Sequence, residues 1–236
     1  MDNIKIKYIG HSTFLITTQS GKKIIIDPWL KDNPSSSEDV SSIGEIDYIL
    51  ITHGHFDHVG DTLDIIKNNP NSTTIANFEI GQWLEKKGGV NISPMSHGGT
   101  QYFEDFKVSM VNAVHGSGIS DATSENLVYG GIASGLVLKF NDDFSVYHAG
   151  DTSIFGDMSL ISDIYKPDLC MIPIGDHFTM GVEEAVYATK LIKAKTYIPI
   201  HYGTFPVLTG NPDDFKERVE SHGNSEVIIM NPGDEI

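Results

Sequence analysis

A short histidine-rich turn constrains this sequence more than any other feature. Residues 52–58 read Thr-His-Gly-His-Phe-Asp-His and follow directly on an apolar run. Such a run is typical of a buried strand, so we expect the histidines at the end of a strand, where the chain turns. Side chains two residues apart in extended backbone point to the same side, so His53 and His55 can share one ion. Asp57 and His58 fall on the turn that follows, and their adjacency suggests a second ion.

Metal binding has to be weighed against an ordinary structural role for these residues. Isolated histidines are usually surface or core residues, and short motifs produce false positives. Three histidines and an aspartate in one turn are a poor composition for a core or an ordinary loop. We therefore interpret the turn as part of a metal site. Each zinc-like ion needs about three or four protein ligands and an open position, so further ligands must lie elsewhere in the chain.

Three later strand-like runs end on suitable residues, namely His115, Asp151 and His201. This order of histidines and aspartates resembles the metallo-β-lactamase superfamily. The resemblance implies seven ligands for two metal ions: His53, His55 and His115 for the first, Asp57, His58 and His201 for the second, and Asp151 as a bridge between them. Imidazole and carboxylate ligands suit zinc, manganese or iron, whereas calcium and magnesium prefer all-oxygen sites. We expect two divalent ions, with zinc favoured by ligand type and general availability.

The same resemblance extends to residues around the predicted ligands. In the superfamily, an acidic residue at the position of Asp27 supports the metal-bound histidines; a solvated strand end is the alternative. The segments around His11 and His177 resemble the branch that includes ascorbate-6-phosphate lactonase and many metal-dependent hydrolases. There they border the cleft, so both histidines are candidates for substrate contact, or else structural. His148 precedes Asp151 on one strand and is expected behind the ligands or buried.

The superfamily resemblance implies an α/β fold, a four-layer αββα sandwich, in a single domain over residues 1–236. Apolar periodicity alone predicts strands alternating with helices and would also permit an open parallel sheet. Strands are predicted near 4–9, 13–18, 23–27, 47–52, 73–76, 106–114, 134–140, 144–149, 168–174, 196–200 and 226–230. Helices are predicted near 60–68, 78–87, 157–165, 181–193 and 212–221.

Composition limits the classes of partner. The net charge of −16 and a single arginine argue against a nucleic-acid surface, which needs clustered positive charge. We find no run long enough to cross a membrane and no signal peptide at the N-terminus, which predicts a cytoplasmic protein. Cys170, the single cysteine, lies mid-strand and is predicted to be a core residue rather than a ligand.

These patterns predict a metal-dependent hydrolase acting on a small molecule. A metal-bridging hydroxide would attack an ester, lactone, amide or phosphodiester centre. Asp57 and His177 are the candidates for proton handling. The alternatives are a nuclease of the same fold and a non-catalytic metal-binding protein. A di-iron oxidoreductase of this fold would typically have glutamate at position 55, so His55 argues against it.

Overall fold

A computed structural model describes residues 4–223 and 225–236 of the chain. Its strands are β1 (Lys5–Gly10), β2 (Thr13–Thr17), β3 (Lys23–Ile26), β4 (Tyr48–Leu50), β5 (Thr73–Asn77), β6 (Ile92–Met95), β7 (Thr100–Tyr102), β8 (Phe106–Asn112), β9 (Gly118–Ile119), β10 (Val128–Tyr129), β11 (Ser134–Phe140), β12 (Ser145–His148), β13 (Leu169–Pro173), β14 (Thr196–Ile200) and β15 (Glu226–Val227). Its helices are α1 (Phe56–Val59), α2 (Thr62–Asn68), α3 (Phe78–Lys86), α4 (Met158–Tyr165), α5 (Val182–Ile192) and α6 (Pro212–His222). None of the helices within the described ranges is long and apolar enough to cross a membrane.

The chain divides into two compact units. The first unit contains residues 4–99, 116–133 and 231–236, and the second contains 100–115 and 134–230. Each unit has one large sheet with its own helices. The prediction of a single domain over 1–236 stays a prediction.

The first unit is built on a six-stranded sheet with the order β1-β2-β3-β4-β5-β6. Strands β1 to β3 pair antiparallel, and β3 to β6 pair parallel. Apolar side chains of α2 and α3, such as Ile65 and Ile80, pack in one buried cluster with strand residues such as Ile25 and Ile49. Because β3 and β4 run parallel, their carboxyl ends lie at the same edge of the sheet.

The second unit contains a seven-stranded sheet with the order β15-β14-β13-β12-β11-β8-β7. Strands β12 to β15 pair parallel, so the residues after β12 and β14 leave the sheet at the same edge. The core of this unit joins the strands to α4, α5 and α6 through residues such as Ile172, Ile161, Ala188 and Phe215. Cys170 is fully buried in β13, as predicted.

Four strands were missed by the sequence analysis. Strand β6 contains Pro94 and lies at the edge of its sheet, which is where proline is tolerated because its position need not donate to a neighbour. Strand β7 is also an edge strand, and β9 and β10 have two residues each, too short for a periodic pattern. The helix predicted near 60–68 is preceded by the short helix α1, which carries Asp57 and His58.

Candidate metal centre

The histidine turn of the first unit leaves the sheet directly after β4. His53 is fully buried, and its Nε2 atom lies 3.0 Å from Nδ1 of His55. Gly54 separates them, and its N–H donates to Ser117 Oγ at 3.0 Å. A Cβ atom at Gly54 would lie 2.6 Å from the carbonyl oxygen of Ser117, so only glycine permits this close approach. Two histidine nitrogens therefore meet at one point, as the spacing predicted.

The Asp27 carboxylate, which follows β3, accepts hydrogen bonds from residues of this turn. Its Oδ2 atom accepts hydrogen bonds from the Thr52 hydroxyl at 2.6 Å and from Nδ1 of His58 at 2.7 Å. Its Oδ1 atom accepts from the Thr52 backbone N–H at 2.8 Å. Because a carboxylate can only accept, Nδ1 of His58 is the donor in this contact, which leaves a lone pair on Nε2 of the neutral ring. Asp27 thus has the geometry of a carboxylate that orients a metal-binding histidine.

His11, in the turn between β1 and β2, lies beside Asp57. Its Nε2 atom is 3.2 Å from Asp57 Oδ2, and its ring packs edge-on against Trp29 with the centroids 5.1 Å apart. The ligand atoms of His11, Asp57 and His58 all lie within 4.8 Å of one another. His11 is fully buried and Asp57 is 8% exposed. His11 is therefore placed to hold the Asp57 carboxylate in position.

The second unit brings its three predicted ligands together. The Asp151 carboxylate follows β12, and its Oδ2 atom lies 2.9 Å from Nε2 of His201 and 3.6 Å from Nε2 of His115. Asp151 and His201 are buried, and the His115 side chain is partly exposed. One carboxylate thus lies beside two imidazoles, and the bridging role of Asp151 stays a prediction.

Gly175 sets the position of His201. A Cβ atom at Gly175 would lie 1.9 Å from the carbonyl oxygen of His201, which is a backbone atom. His201 itself has a left-handed backbone with φ of 57°. The ends of β13 and β14 thus approach each other more closely than any side chain at position 175 would allow.

The remaining predicted residues of this unit differ in burial. His148 is fully buried, and its Nδ1 atom accepts the backbone N–H of Gly150 at 3.1 Å, within the turn that carries Asp151. His177 is exposed, and its ring packs edge-on against Phe178 with the centroids 4.5 Å apart. His148 thus has the geometry of a supporting group, and His177 that of a residue open to solvent.

The donor groups of both units fit a divalent transition metal. The first unit offers three imidazoles and the Asp57 carboxylate, and the second offers two imidazoles and the Asp151 carboxylate. In the first unit the ligand atoms of Asp27, His53 and His58 also lie within 4.8 Å of one another. Neutral imidazole with carboxylate is the set that zinc, manganese and iron prefer. The assignment of individual ligands to ions stays a prediction.

Sequence reasoning missed two features of the site. It did not single out Thr52, which connects Asp27 with His53, and it did not pair His11 with Asp57. The sequence did contain a signal for the contact between Asp27 and Thr52, because each of these residues immediately follows an apolar run. The second pair is separated by 46 positions, and nothing local indicates it.

Three comparisons place this chain among known proteins. A family model described as the beta-lactamase superfamily domain matches residues 22–202. A UPF0173 metal-dependent hydrolase of Koribacter versatilis is 46% identical over 235 residues, which cover 99% of this chain and 98% of that protein. A protein of the same description from Rubrobacter xylanophilus is 42% identical, covering 98% of this chain and 96% of its own.

A solved structure is also similar to this chain. The metallo hydrolase of the hyperthermophilic archaeon Ignicoccus hospitalis has a TM-score of 0.87 and 34% identity, and the match covers 99% of this chain and 97% of that one. The predicted superfamily and its α/β metallo-β-lactamase fold are confirmed, as is the prediction of an enzyme. The chain belongs to the beta-lactamase superfamily, among its metal-dependent hydrolases.

Proposed function

We propose that the protein hydrolyses a small-molecule ester, lactone or phosphodiester with two divalent metal ions, most simply zinc. The ligand set is the one predicted above: His53, His55 and His115 for one ion, Asp57, His58 and His201 for the other, and Asp151 shared. When bound, the ions supply Lewis acidity at the scissile bond and lower the pKa of coordinated water. The net charge of −16 favours a small substrate over a nucleic acid.

One observation supports the proposal most directly. Nε2 of His53 and Nδ1 of His55 lie 3.0 Å apart at the end of a buried strand. Two imidazoles that bind one ion at about 2.0–2.1 Å must bring their nitrogens to about this separation. Asp27 strengthens the case, because it fixes the ring of His58 from the side opposite its Nε2 atom.

Other residues of the chain would contact the substrate, orient Asp57 or transfer protons. His11 holds Asp57 Oδ2 through its Nε2 atom, so Asp57 keeps one orientation whether it binds metal or accepts a proton. His177 is exposed, and imidazole is the side chain that most often transfers protons in catalysis, which suits a role at a leaving group. Its neighbour Phe178 is 57% exposed and offers an apolar surface to a substrate.

Metal content and turnover test the proposal together. The protein is stripped with a chelator, reloaded with zinc, manganese or iron, and analysed by mass spectrometry for metal per chain. Turnover is then measured on a nitrophenyl ester, a simple lactone and a bis-nitrophenyl phosphodiester. We expect two ions per chain and metal-dependent hydrolysis of one of these three substrates, which would identify the type of bond that the protein hydrolyses.

A double variant and a matched control sharpen this test. His53→Ala with His55→Ala should lose one ion per chain and lose activity. His97→Ala is the control, because His97 is half-buried and contacts the Ala133 carbonyl at 3.0 Å instead. Unchanged metal content in the double variant would refute the ligand assignment. Two bound ions with no turnover of any substrate class would favour the non-catalytic alternative.

A further inference from the structure

We propose that Thr52 is a positioning residue of this metal centre. Its hydroxyl group keeps Nδ1 of His53 protonated and so leaves Nε2 as the metal-binding atom. The inference rests on the function proposed above, because the choice of nitrogen matters only if His53 binds a metal.

The direction of the Thr52 hydroxyl follows from its two partners. Oγ1 lies 2.6 Å from Oδ2 of Asp27 and 3.0 Å from Nδ1 of His53. An ionised carboxylate can only accept, so the single hydroxyl hydrogen points to Asp27. The lone pairs of Oγ1 then face His53, and Nδ1 must donate to them. His53 is thereby fixed with Nδ1 protonated and Nε2 unprotonated.

A third hydrogen bond further restricts the position of Thr52. The Asp27 carboxylate also receives the Thr52 backbone N–H, which can only donate. Thr52 is therefore held by the same carboxylate at two points, through its backbone and its side chain. Asp27, Thr52 and His53 are all fully buried, so bulk water does not compete for these bonds.

The consequence is that one carboxylate orients two histidines. Asp27 fixes His58 directly, through Nδ1 at 2.7 Å, and fixes His53 through the Thr52 hydroxyl. An isolated neutral imidazole favours the opposite tautomer, with the proton on Nε2, which cannot bind a metal through that atom. Without the hydroxyl, His53 would have to change tautomer before binding, and metal affinity would fall.

The test compares Thr52→Val, which has the same shape without the hydroxyl, with Thr52→Ser, which keeps it. Long-range ¹H–¹⁵N spectra of ¹⁵N-histidine-labelled, metal-free protein report the protonated nitrogen of each ring. We expect Nδ1–H for His53 in the wild type and in Thr52→Ser, and Nε2–H in Thr52→Val. His58 should stay Nδ1–H in all three proteins and serves as the internal reference.

Zinc affinity, measured by competition with a chromophoric chelator, is the second readout. Thr52→Val should bind about 10–100-fold more weakly, and Thr52→Ser should remain close to the wild type. An Nε2–H signal for His53 in the wild type would overturn the proposal even if Thr52→Val fails to fold. Unchanged tautomer and affinity in Thr52→Val would also overturn it. A wild type that shows Nδ1–H but binds no metal would overturn the metal centre itself, and with it the role of Thr52.

Discussion

Replacing Gly175 by alanine tests how closely the strand ends of the second unit must approach. The new Cβ atom would lie 1.9 Å from the carbonyl oxygen of His201, where an ordinary contact is 3.4–4 Å. One of the two backbones must therefore move by about 1.5 Å, because the nearest obstacle is a backbone carbonyl oxygen and not the end of a flexible side chain. Overpacking of a tight site costs about 1–3 kcal/mol, and a backbone obstacle puts Gly175→Ala at the upper end.

The same displacement affects the proposed metal centre. A shift of about 1 Å in a positioned group can lower a reaction rate by about 100-fold. His201 is the group next to Gly175, so Gly175→Ala should lose hydrolytic activity by about this factor and bind the second ion more weakly. The loss of stability does not depend on the proposed function and can be measured without metal.

Urea unfolding followed by circular dichroism gives the free energy of unfolding. Labelling of Cys170 gives a second signal from the same unit, because burial raises the pKa of its thiol and keeps it unreactive in the folded state. Gly156→Ala is the control, since nothing lies within 4 Å of a Cβ atom there. If Gly175→Ala unfolded within about 0.5 kcal/mol of the wild type, the close approach argued here would be wrong.

Two further predictions concern carboxylates of the first unit. Asp27→Asn should weaken zinc binding by about 10–100-fold in chelator competition, because an amide cannot accept from all three donors that Asp27 now serves; wild-type affinity would contradict this. Hydrogen bonds from Lys87 and Trp83 hold the pKa of Asp121 well below its usual value. Because the pKa of Asp121 is lower in the folded state, its charged form stabilises the protein above the unfolded pKa of about 3.9. This stabilisation is lost as the pH falls from that value toward the lower folded pKa. The melting temperature of Asp121→Asn should therefore lie below that of the wild type at pH 7 and approach it in acid, and a difference independent of pH would exclude this explanation.

Three of the predicted ligands could be located from the sequence because each lies just after an apolar run. His53 follows β4, Asp151 follows β12 and His201 follows β14, and the structure has all three strands within a few residues of their predicted bounds. A strand end is a local property, so periodicity and the turn residues are enough to find it. The edge strand β6 was missed for the same reason, because Pro94 interrupts the local pattern.

Contacts between strand ends could not be predicted in this way. Asp27 and Thr52 meet because β3 and β4 are parallel neighbours, with Ile26 opposite Leu50. That pairing is a property of the sheet order, which periodicity leaves open. The contact of His11 with Asp57 depends on the turn between β1 and β2 reaching the first turn of α1, which no run of residues encodes. The candidate ligands were thus indicated by local sequence, whereas the contacts that support them depend on the order of the strands.

Left-handed backbone occurs at four residues of the site and at six other non-glycine residues in the described part of the chain. His11, Asp27, His177 and His201 have left-handed φ values of 59°, 49°, 52° and 57°. For residues other than glycine this conformation costs about 1–2 kcal/mol, although aspartate and histidine adopt it more readily than most. Lys166 and Lys193 share the conformation at the ends of helices, where it closes the last turn.

The four site residues have no such helix end to explain them. Asp27 is held by three hydrogen bonds, and the carbonyl of His11 accepts the Tyr8 hydroxyl at 3.0 Å. Strained backbone persists only where its surroundings determine it, and it concentrates at sites that must hold a side chain in one orientation. The conformation of these turns is therefore set by their tertiary contacts rather than by local preference. That is the condition under which His11 can hold Asp57, and Asp27 can orient His53 and His58, before any metal binds.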